Sequence, residues 1–133
     1  MSQQLAKEIA AEYAARLDTL APVTVGGMFG GASLRSAGVV FGLMIGQELY
    51  FRVDAQSIAG YEAAGSAPFS YARKDGREIT VASYYNVPAD VLEDDALLNA
   101  WAKTAHRAAF EAAVKKAPKR KKKAVHRDDI GKL

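Results

Sequence analysis

Gly38-Val39-Val40-Phe41-Gly42-Leu43-Met44-Ile45-Gly46-Gln47-Glu48-Leu49-Tyr50-Phe51-Arg52-Val53 is the stretch on which the fold turns. Gly38 to Ile45 is a nearly continuous apolar run, the pattern of a central strand covered on both faces. Glu48 to Val53 alternates instead, with Leu49, Phe51 and Val53 on one side and Tyr50 and Arg52 on the other. Gly46-Gln47 between them is a two-residue hairpin turn. A central strand joined to its neighbour by so short a turn predicts an antiparallel sheet.

Upstream, Ser2 to Thr19 reads as a helix capped by Ser2, with Leu5, Ile9, Tyr13 and Leu17 on one stripe reinforced by Ala6 and Ala10. Pro22 stops it, and Val23-Thr24-Val25 starts a short strand. Gly26-Gly27-Met28-Phe29-Gly30-Gly31 follows, four glycines around two large apolar groups. Two readings stand for this segment: a bulge or bend between early strands, or a loop that binds a small ligand.

Downstream, Asp54 caps a short helix, Ala55 to Ala64, with Gly65 at its C′ position. Pro68 to Arg73 is a strand carrying Phe69 and Tyr71 on one face. Asp75-Gly76 is the strongest turn dipeptide in the chain and predicts a type I′ hairpin. Arg77 to Tyr85 returns as a strand that Pro88 ends. A long helix then runs from Asp94 or Asp95 to Lys116, packing through Leu97, Leu98, Trp101, Ala105, Ala108 and Ala112, and Pro118 terminates it. The expected order is α-β-β-β-α-β-β-α, a two-layer α+β fold with a five-stranded antiparallel sheet and helices on one face.

With 133 residues the chain is one domain. The absence of Cys excludes disulfides and thiolate chemistry. No apolar run approaches a membrane span, and Met1-Ser2-Gln3-Gln4 lacks the features of a signal peptide, so a cytoplasmic protein is expected. The net charge of +3 conceals an asymmetry. From Lys115 to Leu133 nine basic residues face two acidic ones, a net +7; residues 1–114 hold nine basic and thirteen acidic groups, a net −4. The expected division is therefore a domain over 1–117 and a basic, disordered tail over 118–133. Lys119, Arg120, Lys121, Lys122 and Lys123 are its candidate nucleic-acid contacts, by attraction to phosphate and without sequence preference.

Catalytic patterns are not found. Gly26 and Gly31 have P-loop spacing, but Ala32 and Ser33 stand where Lys and Ser/Thr would be needed, and Met28 breaks a G-x-G-x-x-G pattern. His106 reads as a surface helix residue. Glu93-Asp94-Asp95 complements a helix dipole more readily than it binds a cation. Ser66, Ser70 and Ser83 lie in no nucleophile elbow. No cofactor, metal or catalytic residue is assigned, and the chain is expected not to be an enzyme. Tyr50, Tyr71, Tyr84, Tyr85, Phe51 and Phe69 all fall on strands, near Arg52 and Arg73. They fill a core or an interface, or they stack nucleic-acid bases.

Met28-Phe29-Gly30-Gly31, Gly38-Val39-Val40-Phe41-Gly42-Leu43 and Leu49-Tyr50-Phe51-Arg52-Val53-Asp54 resemble the TfoX N-terminal domain family. So do Glu62-Ala63-Ala64-Gly65-Ser66-Ala67-Pro68-Phe69-Ser70-Tyr71, Tyr84-Tyr85-Asn86-Val87-Pro88 and the Leu98…Trp101 helix. The resemblance runs from about Leu5 to Ala113. It implies an α+β domain with a sheet like that of secretion chaperones, and a regulatory setting in which TfoX/Sxy proteins promote competence-gene transcription with the cyclic-AMP receptor protein. It carries no catalytic residues across. Its Gly27, Met28, Phe29, Gly30 and Gly31 motif reads as structural. The expected role is a non-enzymatic interaction module working through protein contacts, as a homodimer, and in transcription regulation.

Overall fold

The computed structural model describes residues 2–132, with side chains through Lys115. Helix α1 (Gln3–Arg16) leads into four consecutive strands, β1 (Val23–Met28), β2 (Gly31–Ser36), β3 (Val39–Ile45) and β4 (Glu48–Arg52). A short α2 (Ile58–Ala63) precedes β5 (Pro68–Ala72) and β6 (Glu78–Asn86), and the chain closes with α3 (Ala89–Leu92) and α4 (Asp95–Lys132). All pairings are antiparallel, in the order β1-β2-β3-β4-β6-β5. The α+β class read from sequence holds, with α1 and α4 packed on the sheet. The sheet has six strands, one more than its pattern discloses.

The additional strand is β2, Gly-Ala-Ser-Leu-Arg-Ser. Small and hydroxylated residues give it almost no β signal. Two-residue turns define it at both ends: Phe29-Gly30 and Ala37-Gly38, all four residues with positive φ. That is the type I′ requirement, met here without Asn or Asp. At Asp75-Gly76 the expected type I′ turn is replaced by a longer one. Gly76 N–H bonds to the Arg73 carbonyl at 3.0 Å and Arg73 N–H to Arg77 at 2.8 Å, with only Gly76 at positive φ. This is a three-residue loop with a glycine bulge, which Asp75 supports by accepting from Arg77 N–H at 3.0 Å.

Strand β3 explains why its sequence is apolar throughout. Leu34 pairs with Gly42 while Arg35 pairs with Val40, so Phe41 is an extra residue opposite no partner. The bulge resets the alternation. Val39, Phe41 and Met44 point to the helices, and Val40, Leu43 and Ile45 to the other face. Phe41, Leu43 and Met44 are all fully buried. Complete burial of such side chains contributes roughly 1.5–3 kcal/mol each.

Ser2 caps α1 as expected, its Oγ accepting from Leu5 N–H at 3.1 Å. The buried face of α1 is centred on Ala6 and Ala10, with Ile9 and Tyr13 at its margins, whereas Leu5 is 42 % exposed. Alanines bring the helix axis close to the glycine-rich β1, and bulkier neighbours are displaced to the sides. Asp54 caps the turn entering α2, accepting from Gln56 and Ser57 N–H while Ser57 Oγ accepts from Asp54 N–H. These bonds to the ionised form, the one from Ser57 N–H foremost, lower the Asp54 pKa. Gly65, at positive φ, closes α2 with the 5→2 and 6→1 bonds of a Schellman motif.

Helix α4 continues through Pro118, where the sequence predicts its end. Proline removes one bond, the one that position 118 would donate to the carbonyl of residue 114. The flanking Ala, Lys and Arg residues are strong helix formers and keep the adjoining turns helical. The side chains of Lys119, Arg120, Lys121, Lys122 and Lys123 lie outside the described residues, and with them the test of the basic-tail expectation.

The first and last helices are joined by a buried polar clamp that no sequence pattern signals. Asn99 Oδ1 accepts from Thr19 N–H at 3.2 Å and Thr19 Oγ1 at 2.9 Å; its Nδ2 donates to the carbonyls of Arg16 and Asp95, both at 2.9 Å. Arg16 adds a 2.7 Å ion pair to Asp95 and a 2.7 Å bond to the Leu92 carbonyl. Asn99 is 7 % exposed, so its loss strands backbone groups away from water. Asn99→Leu is expected to lower unfolding stability by about 2 kcal/mol in urea titration. Arg16→Met, which breaks the exposed pair, is expected to cost less than about 1 kcal/mol.

Candidate functional site

The helices leave one face of the sheet uncovered. Its side chains form a second small core: Leu43, Phe69 and Tyr84 buried, with Met28, Val40, Ile45, Tyr50 and Val81 packed around them. The strand aromatics are thereby divided. Phe51 and Tyr85 point to the helix side, where they join the main core. Tyr50, Phe69, Tyr71 and Tyr84 belong to the open face.

Phe29 completes this face from the tip of the first hairpin. Its ring lies 5.5 Å from Phe69 and 5.5 Å from Tyr71; Tyr71 stacks on Phe69 at 5.9 Å, and Tyr50 meets Phe69 edge-on at 5.1 Å. Four linked rings result, of which Phe29 is 49 % and Tyr71 37 % exposed. Phe29 holds φ 53°, a left-handed conformation that costs a bulky L-residue about 1–2 kcal/mol. A solvent-facing aromatic is thus kept where a glycine or asparagine would sit without strain.

Residues 26–31 are the bend between two early strands, one of the readings the sequence offers, and contain no bulge. Gly26, Gly27 and Met28 end β1, Phe29-Gly30 turn, and Gly31 opens β2. The glycines serve close packing. A Cβ on Gly27 would lie 2.8 Å from Gln3 Nε2, and one on Gly31 would collide with the Met44 carbonyl. Gln3 Nε2 also donates to the Gly31 carbonyl at 3.0 Å, so α1 covers the helix-facing side of the hairpin.

At the opposite end of the open face, the Arg52 guanidinium lies 5.7 Å from the centre of the Tyr84 ring, and Tyr84 Oη donates to the Val40 carbonyl at 3.3 Å. Burial raises the Tyr84 pKa, and the neighbouring Arg52 charge opposes the rise. Arg73 is engaged within its own turn, 3.8 Å from Asp75.

The other sequence candidates are placed in the scaffold. His106 is a packing residue rather than a surface one: Nε2 is 2.9 Å from the Ser36 carbonyl, and the ring contacts Phe41 and stacks on Phe110. Asp94 caps α4 by accepting from Leu97 N–H at 3.1 Å, and Asp95 pairs with Arg16. Among the described residues no group of three or more His, Asp or Glu side chains could hold a metal ion, and no helix is long and apolar enough to cross a membrane.

The hairpin motif, the apolar β3 and the divided aromatics of β6 occur within one continuous region. Residues 15–109, well over half the chain, match the family model of the TfoX N-terminal domain. The chain belongs to the TfoX N-terminal domain family. No curated protein matches it. Two segments read as family-like in the sequence have clear structural tasks. Met28-Phe29-Gly30-Gly31 makes the tight hairpin tip. Tyr84-Tyr85-Asn86 sends Tyr84 and Tyr85 to opposite faces, and Asn86 fastens β5 by accepting from Ala67 N–H at 2.8 Å.

Because the Gly31 Cβ position is occupied by backbone, Gly31→Ala is expected to push β2 from β3 and lower stability by about 2 kcal/mol. Gly60→Ala, on an open helix position with nothing near its Cβ, is the control and is expected to be neutral or stabilising.

Proposed function

We propose that this TfoX N-terminal domain is a non-enzymatic interaction module, working in the cytoplasm through protein–protein contacts made by the Phe29–Phe69–Tyr71–Tyr50 face. The observation that carries the reading is Phe29, a half-exposed ring in a strained conformation at the solvent edge of an aromatic cluster built around Phe69. Strain of this kind persists where the surroundings or a function demand it. Large rings on a rigid sheet present contact area at small entropic cost and are the side chains that most often anchor interfaces. The partner proposed first is a second copy of the chain, with transcription regulation as the setting that family membership supports.

Sedimentation equilibrium on the full chain tests this, from low micromolar to several hundred micromolar. Self-association is expected, and it is expected to vanish in Phe29→Asn/Tyr71→Ser while the unfolding midpoint stays close to wild type. A wild-type chain that remains monomeric throughout contradicts the dimer. Dimerisation unaffected by the double substitution contradicts the assigned face.

A second reading is favoured by the charge distribution. The nine Lys and Arg residues from Lys115 onward fall on the last part of α4. They support nonspecific nucleic-acid binding. If about seven phosphates are neutralised, affinity is expected to fall with salt at a log–log slope of about −6. Truncation after Ala117 should abolish the binding; unchanged affinity in the truncated chain rejects this reading.

A further inference from the structure

Arg52 ends β4 beside a cleft of about 350 Å³ lined by Val39, Val40, Tyr84, Ala109, Ala112 and Ala113. Its walls are aliphatic apart from the arginine and the Tyr84 phenol, and the phenol's proton is already given to the Val40 carbonyl. Arg52 Nε is buried and has no hydrogen-bond partner among the described residues. Three ion pairs occur among those residues, and none involves Arg52. A buried N–H without an acceptor is costly. Nε has no surface open to the cleft, so a ligand there meets this guanidinium through its terminal N–H groups.

We propose that this cleft binds a small organic monocarboxylate, its carboxylate on the Arg52 guanidinium and its apolar body against Val39, Val40 and the Ala109–Ala113 segment of α4. The volume lies at the lower end of the range for small-molecule pockets, and the lining side chains other than Arg52 and Tyr84 are aliphatic. The chemistry selects the class of ligand. A guanidinium presents parallel N–H donors that match the two oxygens of a carboxylate. Tyr84 beneath it fixes the guanidinium plane by cation–π contact. A phosphate would bring further charged oxygens against alanine and valine, where nothing pairs them. A neutral amide would forgo the charge-assisted bonds. The site involves α4 and the far end of the sheet, so it is independent of the Phe29 cluster and of any self-association through it.

The test is an NMR titration of the full chain that follows the Arg52 Nε–H resonance, with benzoate, benzamide and inorganic phosphate as probes. Benzoate is expected to shift that resonance saturably, together with backbone amides of Val39, Val40, Ala112 and Ala113. Benzamide and phosphate are expected to shift neither. In Arg52→Gln the benzoate affinity is expected to fall about tenfold or more, the consequence of losing charge-assisted hydrogen bonds. The wild-type comparison of benzoate with benzamide stands without the variant, should the variant fold poorly. The proposal is overturned by an Arg52 Nε–H that does not respond to benzoate, by equal responses to benzoate and benzamide, by tighter phosphate binding, or by a folded Arg52→Gln chain that binds benzoate as well as wild type.

Discussion

The extra residue at Phe41 in β3 is the constraint on which the rest of the molecule depends. Regular alternation would send every second side chain of the central strand to one face. The bulge instead lets Val39, Phe41 and Met44 enter the helix-side core while Val40, Leu43 and Ile45 build a smaller one behind it. A bulge also increases local twist and bends the strand. Bending is required here. In a flat sheet the tip of the β1–β2 hairpin would lie about 20 Å from β5, four to five strand spacings away. Phe29 nevertheless meets Phe69 and Tyr71 ring to ring. The sheet is curled until its two margins share one aromatic cluster.

This closure gives the family motif a physical meaning. Met28 fills the second core, Phe29 bridges to β5, Gly30 supplies the second positive φ of the turn, and Gly31 lets the β3 backbone approach. Each position does something that its neighbours cannot. The helices contribute from the other side, α1 through its alanines over β1 and β2, α4 through Leu98, Ala102, Ala105 and Ala109 in the main core. The Asn99 clamp then fixes where the end of α1 stands relative to the start of α4. With both helices on one face, the other presents aromatic rings at one end and Arg52 beside Tyr84 at the other.

Periodicity and turn chemistry carried most of the architecture into view. The β3–β4 hairpin, the Ser2 cap, the Gly65 helix stop and the acidic start of α4 rest on short-range physics that a sequence displays directly. Strand β2 escaped because Gly-Ala-Ser-Leu-Arg-Ser has no β-branched residue apart from its context, and its turns lack Asn or Asp. Pro118 was read by its local penalty, which the helix formers around it outweigh. The surface itself was half legible. Alternation placed rings on strands, but which rings share a face depended on the bulge in β3 and on a register shift between β5 and β6. There Pro68 pairs with Tyr85 but Phe69 with Val81. The approach of Phe29 to Tyr71 depends on curvature. Asn99 and Arg52 gave no pattern at all, since their importance comes only from what packs around them.

Closure of the bulged sheet until its margins meet is therefore the central claim, and nuclear Overhauser contacts between aromatic ring protons measure it most directly. With Phe29, Phe69 and Tyr71 selectively labelled, the account predicts strong cross-peaks from the Phe29 ring to both of the other rings in the monomeric protein at low concentration. Their absence, with the backbone pairing of β1 through β6 intact, would mean a flat sheet with separated margins and would contradict it.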